Sequence, residues 1–310
     1  KFFKEENIVL ERLKRGDVDL HDDLLPESFA SSAKGGPWGK SVFAIGAENS
    51  EPKMLTWIGW NLKRDIFKGK NTRLALSHLC NRAEMNQKFN SGLFNLAVSP
   101  IYVGSPYAPQ DISPISFDPA KARDLLTKDG WKDEDKNGVL EKKINGKSVE
   151  LKFTLRYARK DYQKYYEMYQ QDLKKAGIQI ELSLLEWNAF IALVDKGDFD
   201  AIAMRWGGGA VDPDPKQIWH SSSARAGGSN FIGYSNKKVD KLIDEARVEF
   251  DKAKRIKLLQ VAYKTIAEDA PYVFMFNEKF KFYAVSDKIQ RPGDTFNYEV
   301  GTSFWWTANK

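Results

Sequence analysis

The residues able to do chemistry in this 310-residue chain are few: His21, His78 and His220, the single cysteine Cys80, and some closely spaced acids. No histidine belongs to a His-Glu-x-x-His pair, and none has a cysteine or histidine partner at metal-ligand spacing. His78 and Cys80 are two residues apart in a helical pattern, so they point to different faces and make a poor nucleophile–base pair. A lone cysteine gives neither an intrachain disulfide nor a thiolate metal site. There is no Gly-x-Ser-x-Gly elbow and no phosphate loop ending in Gly-Lys-Ser/Thr. Asp133-Glu134-Asp135-Lys136-Asn137-Gly138 matches the opening of a calcium loop, but the twelfth position, where a bidentate glutamate belongs, is Ile144. The segment therefore reads as a polar turn. Asp212 and Asp214 are spaced for acid–base work, yet Asp212-Pro213-Asp214-Pro215 reads first as a stiff turn whose carboxylates cap backbone amides. The expectation is a protein that binds, not an enzyme, with no catalytic residue, cofactor or metal.

Binding needs a surface, and one segment supplies it. Phe199 to Trp206 is an apolar run suited to a central strand, and it leads directly into Gly207-Gly208-Gly209 and the Asp212–Pro215 bend. Glycines let backbone N–H and C=O groups approach a ligand, and a tryptophan at the strand end offers a flat apolar wall. The run lacks dinucleotide-loop spacing and an immediate helix, so it is not a nucleotide site. Trp57, Trp60, Trp187 and Trp219 are assigned first to the core. Trp57, Asn61 and Asn230 are secondary candidates for lining the site.

The elements that must position this segment follow an alternating order. Asp118-Pro119 caps and opens a helix that Gly130 ends. Val149, Leu151, Phe153, Leu155 and Tyr157 alternate as a strand. A helix over 161–176 stops at Gly177, and a strand carries Ile178, Ile180, Leu182 and Leu184. A short helix from Trp187 to Lys196 ends at Gly197, before the strand that reaches Trp206. Strand–helix–strand–helix–strand with short links predicts three parallel strands in one sheet with helices on its faces. In such α/β lobes ligands sit beyond the carboxyl ends of the strands.

Around this core the spacing predicts a helix over 5–15, a buried strand over 54–62 and one helix over 72–89. Irregular chain is expected over 94–117. Two amphipathic helices follow over 239–246 and 252–268, then strands over 272–276 and 279–285. The chain is expected to leave one lobe near residue 67 and return to it near residue 276, and two crossings make a hinge.

Composition bounds the class. Hydrophobic residues are 42% and charged residues 29%, which excludes a disordered tail or coiled coil. The formal charge of +6 is spread along the chain, not massed in a nucleic-acid-binding stripe. No apolar run is long enough to span a bilayer. The chain begins Lys1-Phe2-Phe3-Lys4, with no initiator methionine and no signal-peptide core.

In this order several stretches resemble a known family: Leu10–Leu20, Ile58-Gly59-Trp60-Asn61, Asn71–Arg82, Asp118–Trp131, Leu173–Ile180 and Gly197-Asp198-Phe199-Asp200. The pattern continues with Trp206…Asp212-Pro213-Asp214, then Asn230…Gly233-Tyr234-Ser235-Asn236 and Asp269-Ala270-Pro271. The chain resembles the peptide-binding class of bacterial extracellular solute-binding proteins, family 5, which deliver ligands to ABC importers. Phe94–Tyr107, Gly228-Ser229-Asn230 and Trp305-Trp306 are similar to the branch linked to murein peptides and peptide antibiotics.

The resemblance implies a type II periplasmic-binding-protein-like α/β fold of two lobes with hinge crossings. Residues 1–66 and 276–310 would form part of the first lobe and 67–275 the second α/β lobe, the family's third domain. The family's N-terminal part would be absent. It implies a monomer, periplasmic or lipid-anchored outside the cell, that delivers a peptide or other small solute to an ABC permease. Carriers of nickel, haem or sugar, and ligand sensors, share the scaffold. Peptide-specific relatives carry an aspartate three residues after the tryptophan matching Trp206, where it holds the ligand's amino terminus. Here that position is Gly209, so Asp212 or Asp214 is the candidate substitute.

Overall fold

The computed structural model describes residues 5–225 and 227–307, so the first four residues lie outside it. By contacts the chain divides into two compact units, one of residues 54–85 and 96–277, the other of residues 1–53, 86–95 and 278–310.

The larger unit is built on β1 (Leu55–Trp60), β2 (Lys152–Tyr157), β3 (Gln179–Leu184), β4 (Ala201–Trp206) and β5 (Tyr272–Glu278), which neighbour one another in the order β5-β1-β4-β2-β3. β2 pairs in parallel with both β3 and β4, as the alternating strand–helix order predicts. β1 and β5 run antiparallel: β1 pairs with β4 from Leu55–Trp206 to Trp60–Ala201, and β5 pairs with β1. All six residues of β1 are buried, which is why its apolar run shows no alternation. It lies inside this sheet, between β5 and β4, and groups by contacts with the larger unit.

The helices form where their sequence signals stand. α1 (Lys70–His78) buries Thr72, Ala75 and Leu76. The spacing over 72–89 predicts one helix, but the chain breaks at Leu79-Cys80-Asn81 and a second helix runs from Arg82 to Asn90. The break is where Cys80 and Arg82 are buried and Arg82 reaches the carbonyls of Ala97, Phe274 and Ile115. Tertiary hydrogen bonds there replace helix continuation. α2 (Pro119–Lys128) begins where the Asp118 carboxylate accepts from the Lys121 amide at 2.9 Å. α3 (Gln163–Lys175) and α4 (Trp187–Lys196) are the crossover helices. α4 ends on Gly197 at φ +68, a left-handed cap glycine adopts freely. Trp187, expected in the core, is instead 53% exposed at the start of α4. α5 (Lys237–Val248) and α6 (Lys252–Asp269) pack on each other and supply Ile243, Leu259 and Ile266 to the main core.

The smaller unit has its own cores. Its three-stranded antiparallel sheet places Lys281–Ser286 between Leu20–His21 and Val42–Ala47. The helix Glu6–Arg15 packs Val9, Leu10 and Leu13 with Leu24, Trp38, Val42 and Phe282, and ends on left-handed Gly16. Tyr283 and Val285 form a second cluster with Ala47.

Candidate functional site

β2, β3 and β4 run in one direction, so Tyr157, Leu184 and Trp206 end at the same edge of the sheet, where α/β folds hold ligands. At that edge Trp206 is half-buried within a column of rings. Phe231 stacks on it at 5.7 Å and 16°, Trp57 stacks on it at 5.4 Å and 25°, and Tyr272 stacks on Trp57 at 3.9 Å and 3°. Gly59, opposite Tyr272 in the sheet register, makes the inner stack possible: a Cβ there would lie 2.6 Å from Trp57 and 2.8 Å from Tyr272. Trp57 and Tyr272 are fully buried, so they form a floor, and Trp206 and Phe231 carry the part open to solvent.

Past Trp206 the chain leaves the sheet. Residues 207–210 adopt no regular structure, and Gly207, Gly209 and Ala210 are exposed. Among the described residues none of these four takes part in a backbone–backbone hydrogen bond. A Cβ at Gly207 or Gly209 would meet nothing within 4 Å, so crowding does not explain these glycines. Gly209 has φ +75, a conformation side chains disfavour, so the backbone bend after the strand end favours glycine there. The result is a wall of aromatic rings beside backbone donors and acceptors that have no backbone partner among the described residues.

The other candidates have partners of their own. Asp212 accepts from the Tyr107 hydroxyl at 2.5 Å and has Lys252 and Arg255 each at 3.8 Å. The Tyr107 hydrogen bond and these cations hold its carboxyl below the usual aspartate range. Asp214 accepts from the Lys216 amide at 3.1 Å, as a capping residue does, and from Arg247 Nε at 3.0 Å. Both acids thus tie the bend to neighbouring helices instead of facing the ring column as free charges. Asn230 is buried. It donates to the carbonyls of His220 and Tyr234 and accepts from the Tyr234 amide, closing the loop that presents Phe231. Asn61 is 2% exposed and donates to the carbonyls of Gly197 and Phe199. It follows Trp60, which pairs with Ala201 at the far end of β4, so at ~3.4 Å per residue it sits about 20 Å along the sheet from Trp206. The fold therefore brings together Trp57, Trp206 and the glycines, places Asn230 behind Phe231, and separates Asn61 from all of them. Phe231 and Tyr107 were not legible as site residues, because each reaches its place through loops distant in sequence.

The histidines and cysteine occupy structural positions. His78 Nδ1 lies 2.8 Å from the Ser116 carbonyl, and His220 contacts Asp244 at 3.3 Å and Ser222 at 2.7 Å. Cys80 is fully buried, and burial pushes its thiol up to about 12, far from a reactive thiolate. Among the described residues no helix is long and apolar enough to cross a membrane.

Comparison with known proteins agrees with this geometry. The family model described as bacterial extracellular solute-binding proteins, family 5 Middle, matches residues 1–228. The oligopeptide-binding protein AppA of Bacillus subtilis is 32% identical over 264 residues, covering 81% of this chain and 46% of that protein. The di/tripeptide-binding protein 1 of Pseudomonas aeruginosa is 26% identical over 221 residues, 70% of this chain and 38% of that one. The chain thus spans less than half the length of these relatives. Among solved structures, Bacillus subtilis AppA in complex with a nonapeptide superposes with a TM-score of 0.83 at 26% identity, covering all of this chain and 60% of the other. NikZ of Campylobacter jejuni in complex with Ni(L-His) shares the fold, with a TM-score of 0.79 at 20% identity over 98% of this chain and 60% of that one. The expected mixed α/β architecture, with parallel strands flanked by helices, is that of these proteins. The chain belongs to the bacterial extracellular solute-binding proteins, family 5.

Proposed function

We propose that the protein of which this chain forms part captures peptides outside the cytoplasmic membrane and delivers them to an ABC permease. The observation that carries this is the end of β4: Trp206, half-buried in a ring stack, continues into exposed backbone whose N–H and C=O groups have no partner among the described residues. Such a strand end recognises an extended peptide by main-chain pairing while the indole packs one side chain, a mode that tolerates varied sequences. The relatives named for oligopeptides and di/tripeptides support the ligand class.

The proposed mechanism is closure of two lobes over the ligand by hinge motion, with the smaller unit belonging to the first lobe and the larger forming the family's third domain. Trp206 and Gly207 to Gly209 are its ligand contacts. Asp212 and Asp214, already paired with cations, hold the bend in place and leave no free carboxylate to anchor an amino terminus. The nickel-carrier reading of the same scaffold finds no support in the site, where the donor set is aromatic and main-chain. No step of bond making or breaking is assigned to the protein.

Isothermal titration of the full-length protein with a defined mixture of synthetic oligopeptides tests this. Trp206→Ala should weaken binding by about 1.5–3 kcal/mol, the worth of one apolar wall, which is roughly 10- to 150-fold in Kd. Unchanged affinity would remove Trp206 from the site, and absence of any peptide binding by the native protein would refute the reading as a whole.

A further inference from the structure

Between α2 and β2 the chain makes an acidic loop that the peptide site does not use. Asp133, Asp135 and Glu141 each bring a carboxylate oxygen to within 4.8 Å of the others. A twelve-residue calcium loop starting at Asp133 would require its closing acid at residue 144, which is Ile144. The structure closes the loop earlier. Lys136 at φ +61 and Gly138 at φ +87 turn the chain back, and Glu141 pairs with Lys132 across an antiparallel bridge. That pairing swings the Glu141 side chain under the loop, where Oε1 accepts from the amides of Glu134 at 2.7 Å and Asp135 at 3.3 Å.

The second oxygen of Glu141 points to a ligand. Glu141 is 8% exposed, and Oε2 is buried without a hydrogen-bond partner. A buried carboxylate oxygen left unpaired is costly, and the Asp133 and Asp135 carboxylates gathered beside Glu141 add like-charge repulsion. No lysine or arginine among the described residues makes an ion pair with any of the three. The loop's other hydrogen bonds come from uncharged amides: Asp133 accepts from the Gly138 backbone amide at 3.1 Å, and Asp135 accepts from the Asn137 backbone amide at 3.1 Å and from the Asn137 side-chain amide at 3.0 Å. They orient the carboxylates without neutralising them.

We infer that Asp133, Asp135 and Glu141 form a calcium site, a shortened loop whose closing acid stands at the ninth position instead of the twelfth. All three donors are oxygens with no histidine or cysteine in the set, which selects a hard cation, and bonds of about 2.3–2.6 Å bridge oxygens at this separation. Water completes the shell, and Asn137, whose side-chain amide donates to Asp135 and Glu150 at 3.0 Å, holds the Asp135 carboxylate in place. The ion neutralises Glu141 and pins the excursion that starts at buried Trp131, whose indole N–H donates to Thr72 on α1 at 2.8 Å.

Calcium titration of the full chain after EDTA treatment and dialysis, at ~0.15 M ionic strength, tests the site without any peptide. One saturable calcium per chain is expected, with Kd of about 10⁻⁴–10⁻³ M as in extracellular modules, and a thermal midpoint that rises with CaCl2. Asp135→Asn, at an exposed position, should weaken binding at least tenfold and abolish the thermal shift. Glu141→Gln, which keeps the amide contacts, should do the same, and Glu134→Gln should bind like the native chain. No calcium uptake at ~10 mM, native-like binding by Asp135→Asn and Glu141→Gln, or an equal thermal shift from MgCl2 would each overturn the assignment.

Discussion

Trp57 on β1 and Trp206 on β4 carry the same side chain, far apart in sequence and adjacent in space, yet they differ in what they can do. Trp57 is fully buried and stacks on both Tyr272 and Trp206, so it supports the site from beneath. Its replacement by alanine belongs to stability, at about 3–5 kcal/mol, whereas Trp206→Ala belongs to affinity. Cys80 shows the same dependence on surroundings. A lone cysteine two residues from a histidine invites a chemical reading, but burial raises its thiol to about 12. Cys80 should therefore resist a thiol reagent such as DTNB in the native protein and react completely once the chain is unfolded in guanidinium. Rapid labelling under native conditions would contradict the buried placement.

Capping and periodicity decide most of the elements. The Asp118 cap and the Gly197 terminus are local signals, and both helices form where these predict. The alternation from Val149 to Tyr157 is instead split between a hairpin strand Lys147–Glu150 and β2, which starts at Lys152. Gly197 isolates the backbone contribution, because a Cβ there would touch nothing within 4 Å while φ stays at +68. Gly197→Ala should cost about 1 kcal/mol through left-handed strain alone, read as a lowered denaturant midpoint with an unchanged m-value. The helix expected over 72–89 is the instructive difference. Helical periodicity continues through Cys80, but the buried Arg82 finds carbonyl partners only if the chain breaks, and sequence spacing does not register partners such as Phe274.

The two compact units set the scale of stability, each with a core of its own. In the smaller one, Glu6 holds the start of its helix to the following chain. Burial works to raise its carboxyl, but hydrogen bonds from His21 at 3.2 Å, from Ser28 and from the Leu25 amide at 2.7 Å outweigh it, and its pKa is lowered. A lowered folded-state pKa stabilises above the unfolded glutamate value and is lost as pH falls through the folded one. Glu6→Gln should therefore cost about 1–2 kcal/mol near neutral pH, with the difference from the native protein shrinking below about pH 4. Denaturant melts from pH 3 to 7 would show it, and a pH-independent difference would mean that the carboxylate charge is immaterial.

The sequence by itself determined the elements, the parallel trio of strands and the family, because these rest on local periodicity, caps and ordered motifs that neighbouring residues carry within one turn or one strand. It also marked Trp206 and the three glycines after it, since a strand end is visible in one dimension. Only the tertiary structure decided which aromatic rings stack with Trp206, that β1 lies antiparallel between β5 and β4, and that Asn61 stands at the far end of the sheet from Trp206. The same holds for Asp212, Asp214 and Glu141. Whether a carboxylate is paired, free or gathered with others depends on groups brought close by folding, and spacing along a chain does not measure distance through space.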